Sequence, residues 1–154
     1  MVKHKNNTSK SVLDTGFTSD GKTFDKLIGE KPAFVKFYSP MCGHCQNMAN
    51  DWKKLGDDIG NIGIYIIEAH VDGLDKITSK CKEGSNNGIP YIAMVQKGGT
   101  VFKEYRGNRS LVDMMKFVKE NVRALIKRGG GNKTRKQGKG RINKTRKGRK
   151  RMRR

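Results

Sequence analysis

The feature that most constrains this chain is a compact apolar run that leads directly into two closely spaced cysteines. Ala33 to Tyr38 has the length and composition of a buried strand, and Ser39-Pro40 ends it. From Cys42 to Ile59, apolar side chains return at three- and four-residue intervals, which predicts a helix. Cys42 and Cys45 therefore lie at a strand-to-helix junction.

Strand and helix patterns alternate on both sides of this junction and indicate an α/β domain. The isoleucine-rich run Ile62 to Ala69 predicts a buried central strand. The other predicted elements are a strand starting at Val12-Leu13, short helices over Phe24 to Ile28 and Lys76 to Lys82, a loop over Gly84 to Gly88, a hairpin of Tyr91 to Gln96 with Val101 to Tyr105, and a last helix that Ser110 caps.

Composition divides the 154 residues into three parts. Residues 1–11 are polar and basic and are predicted to form a flexible arm, and residues 12–128 suffice for one domain with a core. Residues 129–154 begin with three glycines and carry 13 Lys or Arg side chains and no acid, so the net charge of +20 less these 13 leaves +7 for the rest. Because Ile142 and Met152 are the only aliphatic or Met side chains beyond the glycines, we expect this tail to be disordered.

The spacing of the two cysteines suits reversible disulfide chemistry. Helix residues three apart share one face with Cβ atoms about 5–6 Å apart, which modest relaxation brings within disulfide range. The helix dipole and the unpaired N–H groups favour the thiolate of Cys42, so we predict that it attacks. Cys45, one turn further in, is better placed to resolve a mixed disulfide. The disulfide is itself the redox-active group, so no cofactor is expected.

Zinc binding is the alternative interpretation of a Cys-x-x-Cys pair. A tetrahedral site needs four ligands, and Cys81, His4 and His70 offer no second ligand pair. We therefore expect no metal ion, and we expect Cys81 to be a structural residue.

The segment Phe37 to Cys45, with its Cys42-Gly43-His44-Cys45 motif, resembles the active-site segment of protein disulfide isomerases and other members of the thioredoxin superfamily. The likeness continues through Val71-Asp72, Gly88-Ile89-Pro90 and Tyr105 to Arg109. It implies a thioredoxin fold, with a central mixed β-sheet flanked by helices, for residues 12–128. It also implies thiol–disulfide oxidoreductase or isomerase activity on protein thiols and disulfides.

The resemblance also implies roles within the motif. Cys42 corresponds to the nucleophile and Cys45 to the resolving thiol, with Gly43 and His44 as the intervening catalytic positions. A cationic His44 favours the Cys42 thiolate, which stabilises the reduced state and makes the couple more oxidising. The direction of exchange is not predicted.

Three further positions follow from the same resemblance. Pro90 matches a cis-proline that faces the dithiol, and an X-Pro bond is the one place where a cis peptide costs little. Ile89 beside it and Met41 before the first cysteine are predicted to contact the substrate. Arg109 matches an arginine that assists the resolving cysteine, although Arg106 is a second arginine in the same loop.

Lys36 departs from the family pattern. It stands six residues before Cys42, where thioredoxins and many isomerase domains have a buried acid that helps proton transfer to the second cysteine. Lys36 is either an unusual catalytic lysine or, as the alternation of the strand allows, a residue whose head group reaches solvent. Glu68 is one group that could supply the missing acid. Met41 also replaces the usual tryptophan.

The basic tail predicts binding to polyanions such as nucleic acid, as opposed to a charge run that only aids solubility. Without interleaved aromatic side chains, such binding would not read sequence. A second hypothesis is therefore a nucleic-acid-associated or virion-packaged basic protein with the domain as a scaffold, similar to proteins that large DNA viruses encode. The candidate residues are Lys133, Arg135, Lys136, Lys144, Arg146, Lys147, Arg149, Lys150 and Arg151.

The start of the chain is basic, but no apolar run of a signal peptide follows it. We therefore expect a protein that is not secretory, located in a virion, the cytoplasm or the nucleus. No stretch is long and apolar enough to predict a membrane span.

Overall fold

The computed structural model describes residues 12–14 and 21–129. In chain order the elements are β1 (Val12–Asp14), α1 (Gly21–Glu30), β2 (Ala33–Tyr38), α2 (Gly43–Asp58), β3 (Tyr65–His70), two 3₁₀ segments (Val71–Lys76 and Lys80–Asn87), β4 (Tyr91–Val95), β5 (Val101–Glu104) and α3 (Leu111–Gly129). The predicted thioredoxin fold, with a mixed sheet and flanking helices, is confirmed.

The five strands form one sheet in the order β1-β3-β2-β4-β5. β3 runs parallel to both β1 and β2, whereas β4 runs antiparallel to β2 and to β5. β2 is therefore paired along both edges. Because the cysteines follow directly after β2, these two ladders fix the position from which α2 starts.

Both faces of the sheet are buried, which explains why the run in β2 is almost continuously apolar. On one face Phe34 stacks on Trp52 of α2, with ring centroids 5.2 Å apart, and this cluster includes side chains of α3. On the other face Val35 and Phe37 pack with Phe24 of α1. The core thus has two layers, and α2 and α3 share one of them.

The predicted helix over Lys76 to Lys82 is wrong, because the chain forms two 3₁₀ segments with an extended stretch between them. The Asp25 carboxylate of α1 accepts hydrogen bonds from the N–H and the hydroxyl of both Thr78 and Ser79, at 2.5–3.0 Å. These donors are thereby withdrawn from any local helix. The predicted loop over Gly84 to Gly88 lies largely within the second 3₁₀ segment.

The strand predicted from Ile62 begins only at Tyr65. Gly63 has a φ of +85°, which belongs to the left-handed region and breaks the extended chain. Ile62 and Ile64 instead pack at the edge of the core shared by α2 and α3. Both side chains contact the core, as their apolar character predicts, but they belong to a loop and not to the strand.

Ser110 caps α3 as predicted, since its Oγ accepts a hydrogen bond from the Asp113 N–H at 3.3 Å. The N–H of Leu111, the first residue of α3, donates a hydrogen bond to the Asp51 carboxylate of α2 at 3.2 Å. The start of α3 is thus tied to the middle of α2.

The predicted arm and residues 130–154 of the predicted tail lie outside the described residues. Within residues 12–14 and 21–129, no helix has both the length and the apolar character needed to cross a bilayer.

Replacing Asp25 with Asn should lower the free energy of unfolding by about 1–2 kcal/mol, because charged acceptors make the stronger hydrogen bonds. Burial raises the pKa of the Asp25 carboxyl, but the hydrogen bonds from Ser79 and Thr78 outweigh it and hold the pKa below its usual value. The contribution is therefore complete above the unfolded-state pKa and is lost as the pH falls through the lower folded-state pKa.

Urea unfolding should show this difference at neutral pH and not in strong acid. The exposed Asp75 of the first 3₁₀ segment provides the control, since D75N should unfold like the original protein. Equal losses in both variants would contradict the role of the Asp25 hydrogen bonds.

Candidate active site

Cys42 occupies the position immediately before α2 and has extended backbone angles, with φ −87° and ψ 116°. Its N–H donates to the Ser39 carbonyl at 3.1 Å, and its own carbonyl accepts the Gln46 N–H at 3.0 Å. The chain therefore passes from β2 into α2 through one short turn. Cys42 is partly exposed at this point, whereas Cys45 is buried, and both are free thiols.

The pKa of the Cys42 thiol lies below its ordinary value. The largest cause is a hydrogen bond from the Cys45 thiol, and the backbone N–H groups of Cys45 and His44 and the Arg109 guanidinium act in the same direction. Partial desolvation opposes them. The two backbone N–H groups are donors expected at the start of a helix, and together these groups stabilise the Cys42 thiolate relative to the thiol.

The pKa of the Cys45 thiol is raised to about 11. Burial is the largest cause, and the hydrogen bond to Cys42 and the charge of Cys42 add to it. The backbone of Ser39 and the charge of Lys36 lower the pKa but do not offset the rise. The two sulfurs therefore differ in the way that an attacking and a resolving thiol require.

The Ile89–Pro90 peptide bond is cis, as predicted. The Cys42 thiol donates a hydrogen bond to the Ile89 carbonyl at a sulfur–oxygen distance of 3.7 Å. The loop before β4 thus lies against the dithiol. Met41 is 89% exposed next to Cys42, so an apolar side chain stands open to solvent at the rim of the site.

A cavity of about 420 Å³ lies beside the dithiol, with His44 and Asp51 of α2 on one wall and Arg109 on the other. Of the two arginines in this loop, Arg106 forms an ion pair with Glu104 at 2.9 Å, while Arg109 lines the cavity.

The loop around Arg109 has a close-packed bend that sequence reasoning did not single out. A Cβ at Gly107 would lie 2.8 Å from the Tyr105 hydroxyl, and that hydroxyl donates to the Asn108 carbonyl. The glycine therefore lets the ring of Tyr105 close the bend that presents Arg109.

Of the two possibilities that the sequence leaves open for Lys36, the structure excludes the solvated head group. Lys36 is 1% exposed, because β2 is central and covered on both faces. Its Nζ lies 2.6 Å from Oε2 of Glu68, its register partner on β3. The ammonium also lies 4.9 Å from the ring centroid of Tyr38 and 5.0 Å from that of Trp52. Only the strand register shows that Lys36 and Glu68 are paired.

The surroundings of Cys81 and His70 indicate structural roles. Cys81 is buried, and burial raises the pKa of its thiol to about 12, which makes it inert. His70 accepts the Asp72 N–H at 3.1 Å and so caps the first 3₁₀ segment. Within the described part of the chain, no three His, Cys, Asp or Glu side chains are grouped as a metal site would need.

Known proteins share both the sequence and the fold. The chain is 32% identical over 107 residues to Protein disulfide-isomerase 1 of Dictyostelium discoideum, covering 68% of this chain and 29% of that protein. It is 37% identical over 105 residues to Protein disulfide-isomerase erp38 of Neurospora crassa, covering 67% and 28%. The chain thus spans less than a third of the length of these relatives.

Among solved structures, the J-Trx1 fragment of ERdj5 superposes with a TM-score of 0.59 at 22% identity, covering 73% of this chain and 52% of that chain. The first thioredoxin domain of mouse Protein disulfide-isomerase A4 superposes with a TM-score of 0.53 at 18% identity, covering 90% and 84%. At such identities the likeness establishes the fold alone. Residues 16–120 match the Thioredoxin family model. This chain therefore belongs to the thioredoxin family.

Proposed function

We propose that this chain catalyses thiol–disulfide exchange on protein substrates, with Cys42 as the nucleophile and Cys45 as the resolving thiol. The observation that carries the proposal is the opposite displacement of the two pKa values at the start of one helix, below the ordinary value for Cys42 and to about 11 for Cys45. Two cysteines with a purely structural role need no such difference between their pKa values. The names of the relatives, which are disulfide isomerases, agree with it.

In the reducing direction the Cys42 thiolate attacks one sulfur of a substrate disulfide. The other substrate sulfur leaves as a thiolate, and a mixed disulfide remains. The Cys45 thiol then loses its proton to water and attacks Sγ of Cys42, which breaks the intermolecular bond and releases the second substrate thiolate. The substrate gains two electrons and the Cys42–Cys45 pair loses two, so no bound cofactor is needed. Oxidation of a substrate dithiol is the same path reversed.

The surroundings of Cys42 suit a polypeptide substrate. The thiol is partly exposed, and the Ile89 carbonyl beside it is an acceptor for a substrate backbone N–H. The exposed Met41 provides an apolar contact that adapts to different side chains. Arg109 and His44 lie on the cavity wall next to the motif, and the charge of Arg109 and the backbone N–H of His44 lower the pKa of Cys42.

Replacing Cys42 with Ser should abolish reduction of a model protein disulfide, because no thiol remains to attack. Replacing Cys45 with Ala should instead leave the first attack intact and trap mixed disulfides, which non-reducing electrophoresis and mass spectrometry identify. The control is C81A, in which exchange should persist. Full activity in C42S would contradict the proposed nucleophile.

The pKa difference predicts selective alkylation at neutral pH. A pKa of about 11 leaves about one Cys45 thiol in ten thousand ionised at pH 7, whereas Cys42 ionises below the range of an ordinary thiol. Modification of Cys42 should rise with pH and level off early, while that of Cys45 should still be rising in alkali. Peptide mass spectrometry distinguishes the two sites.

Unfolded protein in denaturant is the control for this experiment, since the cysteines should then react at similar rates. Similar rates for Cys42 and Cys45 in the folded protein would contradict the predicted difference.

We also infer that the 13 basic residues of 129–154 bind polyanions without sequence preference. Affinity for duplex DNA should fall by about 10³-fold between about 50 and 200 mM salt, and a chain ending at Gly129 should lose this binding. C42S is the matched control, because it removes the proposed exchange chemistry and keeps every tail charge. Binding that survives the truncation or ignores salt would contradict the inference.

A further inference from the structure

The exchange mechanism described above uses no buried charge, yet one lies on the strand that leads into the dithiol. Lys36 is 1% exposed on the central strand. Its neighbours on β2 alternate between the two faces of the sheet, and Phe34, two residues earlier, belongs to the core cluster formed with α2 and α3. Lys36 therefore faces α2, the helix that carries both cysteines.

The contacts of the ammonium place it against the buried face of α2 that also carries Cys45. Cys45, Met48 and Trp52 are buried along one face of this helix, and Nζ of Lys36 lies 5.0 Å from the Trp52 ring centroid. The Tyr38 ring lies 4.9 Å away on the other side. Two aromatic faces and the Glu68 carboxylate thus hold the charge on the same side of the sheet as Cys45.

We propose that Lys36 is a positioning residue for the resolving step, in which its buried ammonium, anchored by Glu68, stabilises the Cys45 thiolate that attacks Sγ of Cys42. The proposal rests on the thiol–disulfide exchange proposed above and specifies how the second cysteine is activated. A fixed positive charge stabilises the anion directly, and the thiol proton itself passes to water.

The electrostatics support a net effect of the ammonium on Cys45. A charge in a buried site is poorly screened, so it acts strongly on a neighbouring thiolate. The charge of Lys36 lowers the pKa of Cys45 against the dominant effect of burial. The charged and titratable groups on the elements packed around Cys45 include Lys36 and Tyr38 of β2, Tyr65, Glu68 and His70 of β3, Tyr91 of β4, Cys42, His44 and Asp51 at and within α2, and Arg109 before α3.

Glu68 does not cancel this effect, because the two members of the pair differ in exposure. The Lys36 side chain is 2% exposed and that of Glu68 is 21% exposed, so water screens the carboxylate more than the ammonium. Lys36 also lies on the strand that leads into α2, whereas Glu68 lies one strand further out. Glu68 thus holds the ammonium in place while the ammonium acts on the sulfur.

The two sulfurs can be followed separately by mixing the reduced full-length protein with an aromatic disulfide whose thiol is coloured. Attack by Cys42 releases the first coloured thiol in a phase that depends on reagent concentration. Attack by Cys45 on Sγ of Cys42 releases the second in a phase that does not. C45A should show the first phase alone, which also measures any contribution of Cys81. The rates are recorded by stopped flow across neutral and alkaline pH.

K36M should leave the first phase within about twofold, slow the second, and move the pH profile of the second to higher pH. For each unit by which the pKa of Cys45 rises, the thiolate fraction falls about tenfold and its nucleophilicity rises about threefold, so resolution slows about threefold. E68Q should also slow the second phase, because the ammonium loses the carboxylate that anchors it and favours its charged form in a buried site. K103M is the matched control, since it removes an exposed lysine stacked on Phe117 and should change neither phase.

The double variant K36M/E68Q removes both charges without leaving either unpaired, so it tests the proposal if a single variant fails to fold. It should slow the second phase as K36M does. A second phase that is unchanged in K36M and in the double variant would overturn the role of Lys36 and leave the exchange function standing. Absence of the first phase in the unmodified protein would overturn the exchange function, and the role of Lys36 with it.

Discussion

Backbone pairing along both edges of β2 holds the point at which the chain passes into α2. All six residues of β2 pair with β3, and five of them pair with β4. The same β4 ladder continues from the loop that carries Ile89 and Pro90, so the thiol of Cys42 and the Ile89 carbonyl are placed by neighbouring strands of one sheet. A slip in this register would separate the two atoms.

Two chemically identical side chains acquire different properties because this junction places them differently. Cys42 stands before the helix, where backbone donors and the neighbouring thiol favour its anion. Cys45 lies one turn further in, where burial disfavours its anion. The same three-residue spacing thus brings the sulfurs within reach of each other and separates their environments.

The buried pair of Lys36 and Glu68 is not the simplest way to fill its place in the core. Desolvating two charges costs free energy that their attraction recovers only with good geometry, and apolar replacements are often as stable. Here the contact is short, at 2.6 Å, and two aromatic rings flank the ammonium. The charge of Lys36 acts on the pKa of Cys45, which connects the pair with the chemistry of the site.

The sequence by itself determined the strand-to-helix junction, the helical face that buries Cys45, the cap at Ser110 and the one X-Pro bond that is cis beside the dithiol. Each follows from local periodicity, from capping chemistry or from a family motif. Only the tertiary structure decided that Lys36 is buried against Glu68 and that Asp25 interrupts the helix predicted over Lys76 to Lys82. Local sequence patterns do not determine these two results, because they depend on which strands are neighbours and on hydrogen bonds between residues more than thirty positions apart.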